Sequence, residues 1–310
     1  MKEDFNRLFP DNRMDNLNEE PLRQAQLIAV RILKIVDHVC RKHGIGYWID
    51  GGTLLGAVRN GKFIPWDDDI DIGMTREDYE KFLSIAVEEL PDDLFVQNYS
   101  TTELAGTTWT QIKDRKSYIK IDNGANDHEG IFIDIFPFDS YSENSIKRFR
   151  EMMYKTLYIK AFAVNAPLKK PYFQGINLAK NIAKILLKIA FFEFAIFDKN
   201  YIYKKNLETR EKRIEALKGN PKTNYGYGTD VLNWDFVYKA EHVLPLKTIT
   251  FEGYEFSAPN DWDGYLTTLY GSSYIQPPPE GLRLNHNYGI KTVLDKEEEE
   301  ELNRRFQYKK

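Results

Sequence analysis

Helical spacing of apolar residues marks the first long element of the chain. Asn18-Glu19-Glu20-Pro21 predicts a helix start, with Asn18 as the cap and Pro21 where its missing N–H costs nothing. Apolar residues then recur every three or four positions until Gly44, which predicts the end of the helix. The same spacing predicts a second helix over residues 76–90, capped by Thr75.

Alternation of apolar and polar residues predicts several strands before residue 140. They cover residues 47–50, 69–72, 94–99, 107–112, 118–122 and 131–136. From residue 142 the pattern becomes helical, over residues 142–165, 176–197 and 201–218, followed by a loop at 220–230. A hairpin turning at Glu252-Gly253, a short helix over 261–270 and an acid-rich helix after Val293 complete the chain.

This order of elements predicts an α+β fold with a mixed sheet and flanking helices. Residues 19–140 are predicted to form the core of the fold. Residues 141–310, the helical middle segment and the C-terminal hairpin and helix region, are predicted to pack on it, an arrangement that also suits one continuous domain.

A glycine pair follows the strand at residues 47–50. Gly51 and Gly52 permit a sharp turn and a close approach of a ligand, because glycine has no Cβ. Thr53 is predicted to cap a short helix over residues 54–60. The free N–H groups and positive dipole end at such a helix start favour an anion such as phosphate.

Two aspartates lie on the next predicted strand. Alternation places Asp69 and Asp71 on one face, about 7 Å apart along the strand. Two such carboxylates repel each other unless a cation lies between them, and Mg²⁺ prefers carboxylate, water and phosphate oxygens. An acidic surface turn is the alternative, and the apolar Ile70 and Ile72 on the other face disfavour it. An EF-hand is excluded by spacing, because its sixth and twelfth positions would hold Ile72 and Asp78.

A third aspartate lies among large apolar residues in the strand 131–136. Burying Asp134 without a partner is costly. Either it pairs with a lysine or arginine, or it joins Asp69 and Asp71 as a third carboxylate. Asp139 is predicted to be a turn residue.

The fuller string GGTLLGAVRNGKFIPWDDDID resembles the LicD family of phosphocholine transferases, to which the fukutin-type transferases are related. The tail FEGYEFSAPNDWDGYLTTLYGSSYIQPPPEGLRLNH resembles the C-terminal pattern of that family. Together the two resemblances cover residues 44–139 and 251–286. They imply a nucleotidyltransferase-like fold and a third acid on a strand beside the first two.

The resemblance also implies a reaction. Phosphocholine would pass from CDP-choline, or a related CDP-linked donor, to a hydroxyl of a glycan or lipid-linked glycan of the lipopolysaccharide or teichoic acid type, with release of CMP. Asp69, Asp71 and Asp134 would be the catalytic, metal-binding residues for Mg²⁺, with Mn²⁺ as an alternative. Candidate substrate-binding residues are Gly51, Gly52, Thr53, Arg59, Lys113, Arg115, Arg283 and His286. A choline group calls for aromatic rings; Trp48, Trp66 and Trp109 lie nearest the motif, although core packing is favoured for each.

Other readings stay open. The same fold transfers other groups, such as phosphoethanolamine, ribitol or glycerol phosphate, or a nucleotidyl unit. A glycosyltransferase would use an Asp-x-Asp pair, Asp67 with Asp69 or Asp69 with Asp71, to hold Mn²⁺ and a nucleotide sugar, but the early glycine pair argues against it. A catalytically inactive binding module is disfavoured because all three acids are intact.

Composition indicates a soluble globular protein. Of 310 residues, 42% are hydrophobic and 29% charged, and no stretch has the ~18 uncharged apolar residues of a membrane span. The single Cys40, read as a core residue, suits a reducing compartment, and the polar residues 1–18 do not resemble a signal peptide. The cytoplasm is therefore the expected location.

Charge is unevenly distributed along the chain. The net charge is −4, which gives no overall field for nucleic acid. Residues 147–205 carry thirteen lysines and arginines against three acids, a net charge of +10, which leaves −14 on the remainder. Lysines four residues apart make the helix 176–197 amphipathic. It fits either a peripheral contact with the inner face of the cytoplasmic membrane or a core helix with a solvated lysine face.

Overall fold

The computed structural model describes residues 3–98, 101–102, 108–120, 127–144, 175–190, 224–228, 234–280, 289–304 and 306–307, with residues 146, 148, 208 and 231. The chain divides into two compact units. Residues 1–138 and 236–310 form the first, and residues 139–235 form the second. The C-terminal region, which the sequence grouped with the helical middle, therefore belongs with the first 138 residues.

A long helix is the first substantial element. A short helix, α1 (Phe5–Leu8), and a 3₁₀ turn (Arg13–Asn16) precede α2 (Pro21–His43). The predicted cap Asn18 is wrong: Glu20 is the N-cap residue, without a side-chain hydrogen bond, and Pro21 occupies the first turn. Gly44 ends the helix in the left-handed conformation, φ 60°, as predicted. Cys40 is buried among the core residues of this helix.

The next elements build the central sheet. They are β1 (Trp48–Ile49), α3 (Gly51–Asn60), β2 (Asp71–Thr75), α4 (Arg76–Glu89), β3 (Leu94–Gln97), β4 (Thr110–Asp114), β5 (Tyr118–Ile119) and β6 (Phe132–Tyr141). Thr75 caps α4 as predicted, because its hydroxyl accepts from the N–H of Asp78. Asp139 lies within β6 and is buried, so its prediction as a turn residue is wrong; the strand continues through Pro137.

Five strands of the first unit lie in the order β1-β2-β6-β4-β3. β2 and β6 pair in parallel, whereas the other three neighbouring pairs are antiparallel. The sheet is thus mixed, and the predicted α+β class is confirmed. The parallel pair is the one that sets Asp71 of β2 beside Asp134 of β6.

In the second unit, the structure describes α5 (Gly175–Ala190) and β7 (Asn224–Tyr227). The prediction of a loop over residues 220–230 is therefore wrong for Asn224–Tyr227, which form β7. The Tyr141 hydroxyl donates to the Tyr227 carbonyl at 2.9 Å. The helices predicted at 142–165 and 201–218 lie almost wholly outside the described residues. Among the described residues, no helix combines the length and apolar character needed to cross a bilayer.

The first unit is completed by β8 (Val237–Lys239), α6 (Ala240–Val243), β9 (Lys247–Phe251), β10 (Tyr254–Ala258), α7 (Trp262–Tyr270), β11 (Ile290–Lys291) and α8 (Lys296–Asn303). β9 and β10 form the predicted hairpin, with Glu252 and Gly253 both at positive φ. β11 pairs antiparallel with β5. The carboxylate of Glu252 also forms an ion pair with Arg23 of α2, at 2.6 Å.

A tryptophan fixes how β1 lies on β2. Trp48 is fully buried and is the register partner of Gly73, and its ring meets Phe138 edge-on at 4.8 Å. A Cβ built on Gly73 would lie 2.5 Å from the Trp48 ring. Only glycine leaves room for the indole at this point, so Gly73 fixes the position of the strand that begins at Asp71.

Replacing Gly73 by alanine should therefore destabilise the protein. We expect Gly73→Ala to lower the free energy of unfolding by about 1–3 kcal/mol, because a close-packed ring must shift. Urea unfolding measures the change. Gly289→Ala is the matched control, since a Cβ there meets nothing within 4 Å. Equal stability of the two variants would contradict the packing argument.

Candidate active site

Three carboxylates converge at the parallel pair of strands. Asp71 of β2 and Asp134 of β6 are register partners, and the Asp134 N–H donates to the Ile70 carbonyl at 2.8 Å. Asp69 lies just before β2. One carboxylate oxygen from each of Asp69, Asp71 and Asp134 lies within 4.8 Å of the other two. The structure thus brings together the three acids predicted from the sequence.

The cluster is electrostatically strained. Burial raises the pKa of Asp71 well above its ordinary value, and the charges of Asp69 and Asp134 raise it further. Burial, followed by the charge of Asp69, raises the pKa of Asp134 to about 7. Asp71 and Asp134 are only 9% and 7% exposed, so water screens this repulsion poorly. Buried oxygen ligands of one sign, this close together, form a set that can hold a divalent cation.

The acidic run before β2 adds two more residues, Asp67 and Asp68, in a second group that shares Asp69 with the first. Asp67, Asp68 and Asp69 form a second group whose carboxylate oxygens lie within 4.8 Å of one another. Burial raises the pKa of Asp67 to about 8, and the charges of Asp69 and Asp68 add to the shift. Sequence reasoning used Asp67 only in alternatives that it disfavoured: the acidic turn, the EF-hand and the glycosyltransferase. The signal was the run Asp67–Asp71 itself, because a loop before the strand can turn its acids toward the same centre.

The glycine pair makes room for these carboxylates. A Cβ on Gly51 would lie 2.7 Å from Asp71 Oδ2, and Gly51 also has a positive φ of 52°. A Cβ on Gly52 would lie 2.6 Å from Asp67 Oδ2. The close approach predicted for a ligand is therefore made first by the protein's own acids. Both glycines lie in the first turn of α3, so this turn adjoins the acid cluster.

The cap of α3 differs from the prediction. The helix begins at Gly51 rather than residue 54, and the carboxylate of Asp50 accepts from the Gly51 N–H at 2.7 Å. Thr53, predicted as the cap, is buried, and its hydroxyl accepts from the Asp71 N–H at 2.9 Å. Thr53 therefore supports the strand that carries Asp71. In the first turn of α3, Gly52 is half-buried whereas Gly51 and Thr53 are buried.

A buried hydrogen-bond chain supports this turn from behind. The Tyr265 hydroxyl of α7 donates to Asp50 Oδ1 at 2.7 Å and accepts from the Trp48 indole N–H at 3.2 Å. The Asp50 N–H donates to the Asp71 carbonyl at 2.9 Å. Asp50 is completely buried, and its charge also raises the pKa of Asp71. The chain thus links α7 to the start of α3 and to β2.

Neutral donors hold Asp134. The Trp109 indole N–H and the Gln111 side-chain amide both donate to Asp134 Oδ1, at 2.7 and 2.8 Å. Among the described residues, the other oxygen, Oδ2, accepts no hydrogen bond. These contacts therefore do not support the alternative in which a lysine or arginine pairs with Asp134. Trp109 was named only as a nearby ring, and Gln111 was not predicted at all.

Arg59, Lys113 and Arg115, which were predicted to bind substrate, each contact a different part of the protein. Arg59 donates to the carbonyls of Tyr274 and Gln276, the second at 3.0 Å, so it anchors the loop after α7. Lys113 is fully buried and donates to the His128 carbonyl at 2.6 Å. Arg115 donates to Asn303 of α8 at 2.8 Å, which turns it toward the C-terminal helix.

None of these three contacts involves the acid cluster. Lys113 and Arg115 are committed to packing, so the structure does not bring them to a phosphate site. Arg283 and His286, the other predicted substrate-binding residues, lie outside the described residues.

Tyr270 is a residue that sequence reasoning did not single out. It ends α7 and is 45% exposed. Burial raises the pKa of its hydroxyl, and the charges of Asp71, Asp50 and other acids of the cluster raise it further. The Tyr270 hydroxyl is therefore close enough to the carboxylates to be affected by their charge. The Tyr-Gly turn in the C-terminal motif was the available signal.

The comparisons with known proteins agree on one family. The family described as "LicD/FKTN/FKRP, nucleotidyltransferase domain" matches residues 44–179. Lipopolysaccharide cholinephosphotransferase LicD of Haemophilus influenzae is 30% identical over 271 residues, covering 86% of this chain and 96% of that protein. Ribitol 5-phosphate transferase FKRP of Mus musculus is 30% identical over 103 residues, 33% of this chain and 18% of its own length.

The mixed sheet, the converging acids and the glycine turn define a protein of the nucleotidyltransferase-domain class that this family description names. The chain belongs to the LicD family. Membership confirms the family predicted from the two sequence strings and, with it, the predicted class of enzyme, a phosphotransferase.

The pKa of Lys113 provides a test of its burial, because it makes the stability of the protein depend on pH. Burial lowers its pKa to about 8, whereas an unfolded chain holds that proton up to about pH 10.4. Between these values the unfolded state binds more protons, so the free energy of unfolding rises with pH, by at most about 3 kcal/mol. We expect Lys113→Met to lose this rise, as measured by urea unfolding across that pH range. Parallel curves for the variant and the parent protein would place Lys113 in solvent.

Proposed function

We propose that the protein transfers phosphocholine from CDP-choline to a hydroxyl of a cell-surface glycan and releases CMP. The hydroxyl oxygen forms a bond to the phosphorus of phosphocholine, the bond from that phosphorus to CMP breaks, and the hydroxyl proton is released. The observation that carries the proposal is the convergence of Asp69, Asp71 and Asp134 beside the first turn of α3. Acids beside a helix start suit a reaction at phosphate.

Coverage favours phosphocholine as the transferred group. The cholinephosphotransferase LicD is matched over 96% of its length and 86% of this chain. The ribitol 5-phosphate transferase FKRP is matched over only 18% of its length. Ribitol phosphate is the second candidate, because FKRP and the human ribitol-5-phosphate transferase FKTN share identities with this chain. Phosphoethanolamine, glycerol phosphate and a nucleotidyl unit are weaker alternatives.

Mg²⁺ is the proposed cofactor, with Mn²⁺ able to replace it. The residues fit such an ion: the donors are carboxylate oxygens, Asp71 and Asp134 are buried and Asp69 is half-buried, and the mutual repulsion of the three acids is what a dication would relieve. Asp69, Asp71 and Asp134 would hold it, and Asp67 would add a ligand on the side of Gly52. When bound, the ion supplies positive charge for the phosphates and the leaving group.

Neighbouring residues of the chain hold the acids of the cluster in position. Trp109 and Gln111 fix the orientation of Asp134, and the hydroxyl of Thr53 fixes the backbone of Asp71. The Gly51 N–H donates to the Asp50 carboxylate and the Leu54 N–H to the Asp50 carbonyl, so the amides of Gly52 and Thr53 are the groups we assign to a non-reacting phosphate. None of these contacts needs to form during the reaction, which favours a preorganised site.

Aromatic residues next to the acids suit a choline group. Trp109 contacts Asp134 directly, and the Tyr270 hydroxyl of α7 is close enough to the cluster to be affected by its charge. A quaternary ammonium gains about 0.5–2 kcal/mol from each such ring. We therefore assign donor recognition to these two residues rather than to Trp48, which is buried within the core. The acceptor would be a glycan or lipid-linked glycan, reached from the cytoplasm.

The metal assignment predicts the behaviour of Asp71→Asn. We expect turnover to fall by at least about a hundredfold, because a charged ligand is lost. Titration calorimetry with Mg²⁺ and Mn²⁺ should show weakened binding. The metal-free variant should unfold at a higher temperature than the metal-free parent, since a repelling charge is gone.

The control is Asp15→Asn, which neutralises an exposed carboxylate in the 3₁₀ turn. It should keep both metal binding and turnover. Near-full activity of Asp71→Asn with Mg²⁺ would remove Asp71 from the metal site.

The donor assignment is tested by nucleotide release. The protein is incubated with CDP-choline, CDP-ethanolamine, CDP-ribitol or UDP-sugars and a glycan acceptor. We expect CMP from CDP-choline above all. Tyr270→Leu should raise the KM for CDP-choline more than that for CDP-ribitol, whereas Tyr270→Phe, which keeps the ring, should not.

Two outcomes would redirect the proposal. CMP release from CDP-ribitol alone would support the second candidate. Release of UMP or UDP from several sugars, without CMP, would favour the glycosyltransferase reading.

A further inference from the structure

The described part of the second unit presents an apolar helix face to solvent. On α5, Leu178, Ile182 and Ile185 are exposed, and Leu186 and Ile189 are 60% and 69% exposed. These five residues, here called the α5 apolar face, recur at the three- and four-residue spacing of one helix side. At about 100° per residue they occupy an arc of roughly 100°.

Among the described side chains of α5, the large apolar residues are exposed and a polar residue is buried, which is the reverse of a core helix. A core helix buries its large apolar residues, yet here Asn181 is 3% exposed while its neighbour Ile182 is exposed. Ala179, Lys180 and Ala183 are exposed as well. The core-helix alternative left open by the sequence therefore does not describe this segment. The apolar face is available for an external partner.

Charge indicates which partner fits. α5 contains three lysines, Lys180, Lys184 and Lys188, and no acid, and these positions fall outside the apolar arc. The segment 147–205 around it has a net charge of +10. A second copy of the chain would bring two such segments together, which like-charge repulsion opposes. A surface that accepts apolar side chains and carries negative charge satisfies both features.

We propose that α5 docks on an anionic lipid bilayer, lying in the interface with the α5 apolar face toward the acyl chains. Helices of this kind are amphipathic, with lysines on the polar face, and their binding adds buried apolar area to attraction for anionic headgroups. The sixteen residues of α5 that the structure describes are fewer than the roughly 20 apolar residues of a membrane span. The proposal does not depend on the transfer reaction, because docking needs no donor.

Vesicle co-sedimentation of the full chain, without donor or metal, tests the proposal. We expect binding to mixed phosphatidylglycerol and phosphatidylcholine vesicles at low salt, and at least about tenfold weaker binding to phosphatidylcholine alone. High salt should weaken the binding, since the lysine contribution is screened.

Matched substitutions separate the contribution of the α5 apolar face to vesicle binding from the contribution of charge. The triple variant Ile182→Gln, Leu186→Gln, Ile189→Gln leaves the charge unchanged and should reduce binding at least about tenfold. The control Ala179→Gln, Ala183→Gln adds the same residue type at exposed positions outside the face and should bind within about twofold of the parent. Glutamine is a good helix former, and thermal unfolding verifies that both variants remain folded.

Three results would overturn the proposal. The first is binding of the triple variant equal to that of the parent, and the second is absence of binding by the parent. The third is concentration-dependent self-association that the triple substitution abolishes, without vesicle binding, which would make a second copy the occupant. Loss of turnover on soluble donor and acceptor would bear on the transfer chemistry alone.

Discussion

Repulsion among buried carboxylates is the constraint on which the first unit depends. The parallel pairing of β2 and β6 sets Asp71 beside Asp134, and the loop before β2 adds Asp69. Each of these charges is costly to bury alone. The fold tolerates them because neutral donors hold Asp134, and because Gly51 and Gly52 let the helix start approach without a clash.

The support around this cluster comes from opposite ends of the chain. Tyr265 reaches Asp50, which lies 215 residues earlier, and Trp48 donates to the same tyrosine hydroxyl. A similar long-range link joins Glu252 to Arg23. These contacts fix backbone rather than substrate. They explain why the C-terminal region belongs to the same unit as the acids, although a helical segment separates them in sequence.

Local chemistry made part of this structure predictable. The end of α2 at Gly44, the cap of α4 at Thr75 and the hairpin turn at Glu252-Gly253 each depend on a few adjacent residues. The convergence of the three acids was predicted from strand alternation over residues 69–72 together with a family resemblance, although the strand begins only at Asp71 and Asp69 lies in the loop before it. The cap of α3 was missed because Asp50 also looked like the end of a strand.

Other features depend on partners distant in sequence. Gln111 is an ordinary polar strand residue until the pairing of β4 with β6 sets it opposite Asp134. Lys113 looked like a phosphate ligand, but the same sheet buries it. Pairing of this kind cannot be read from a single strand. For the same reason, no shortened chain that ends after the family-matched residues 44–179 should keep an intact centre, because it would lack the tyrosine that completes the hydrogen bonds of Asp50. The acid cluster is therefore assembled from stretches of sequence on both sides of residues 139–235, and neither stretch alone contains all the groups that hold it in place.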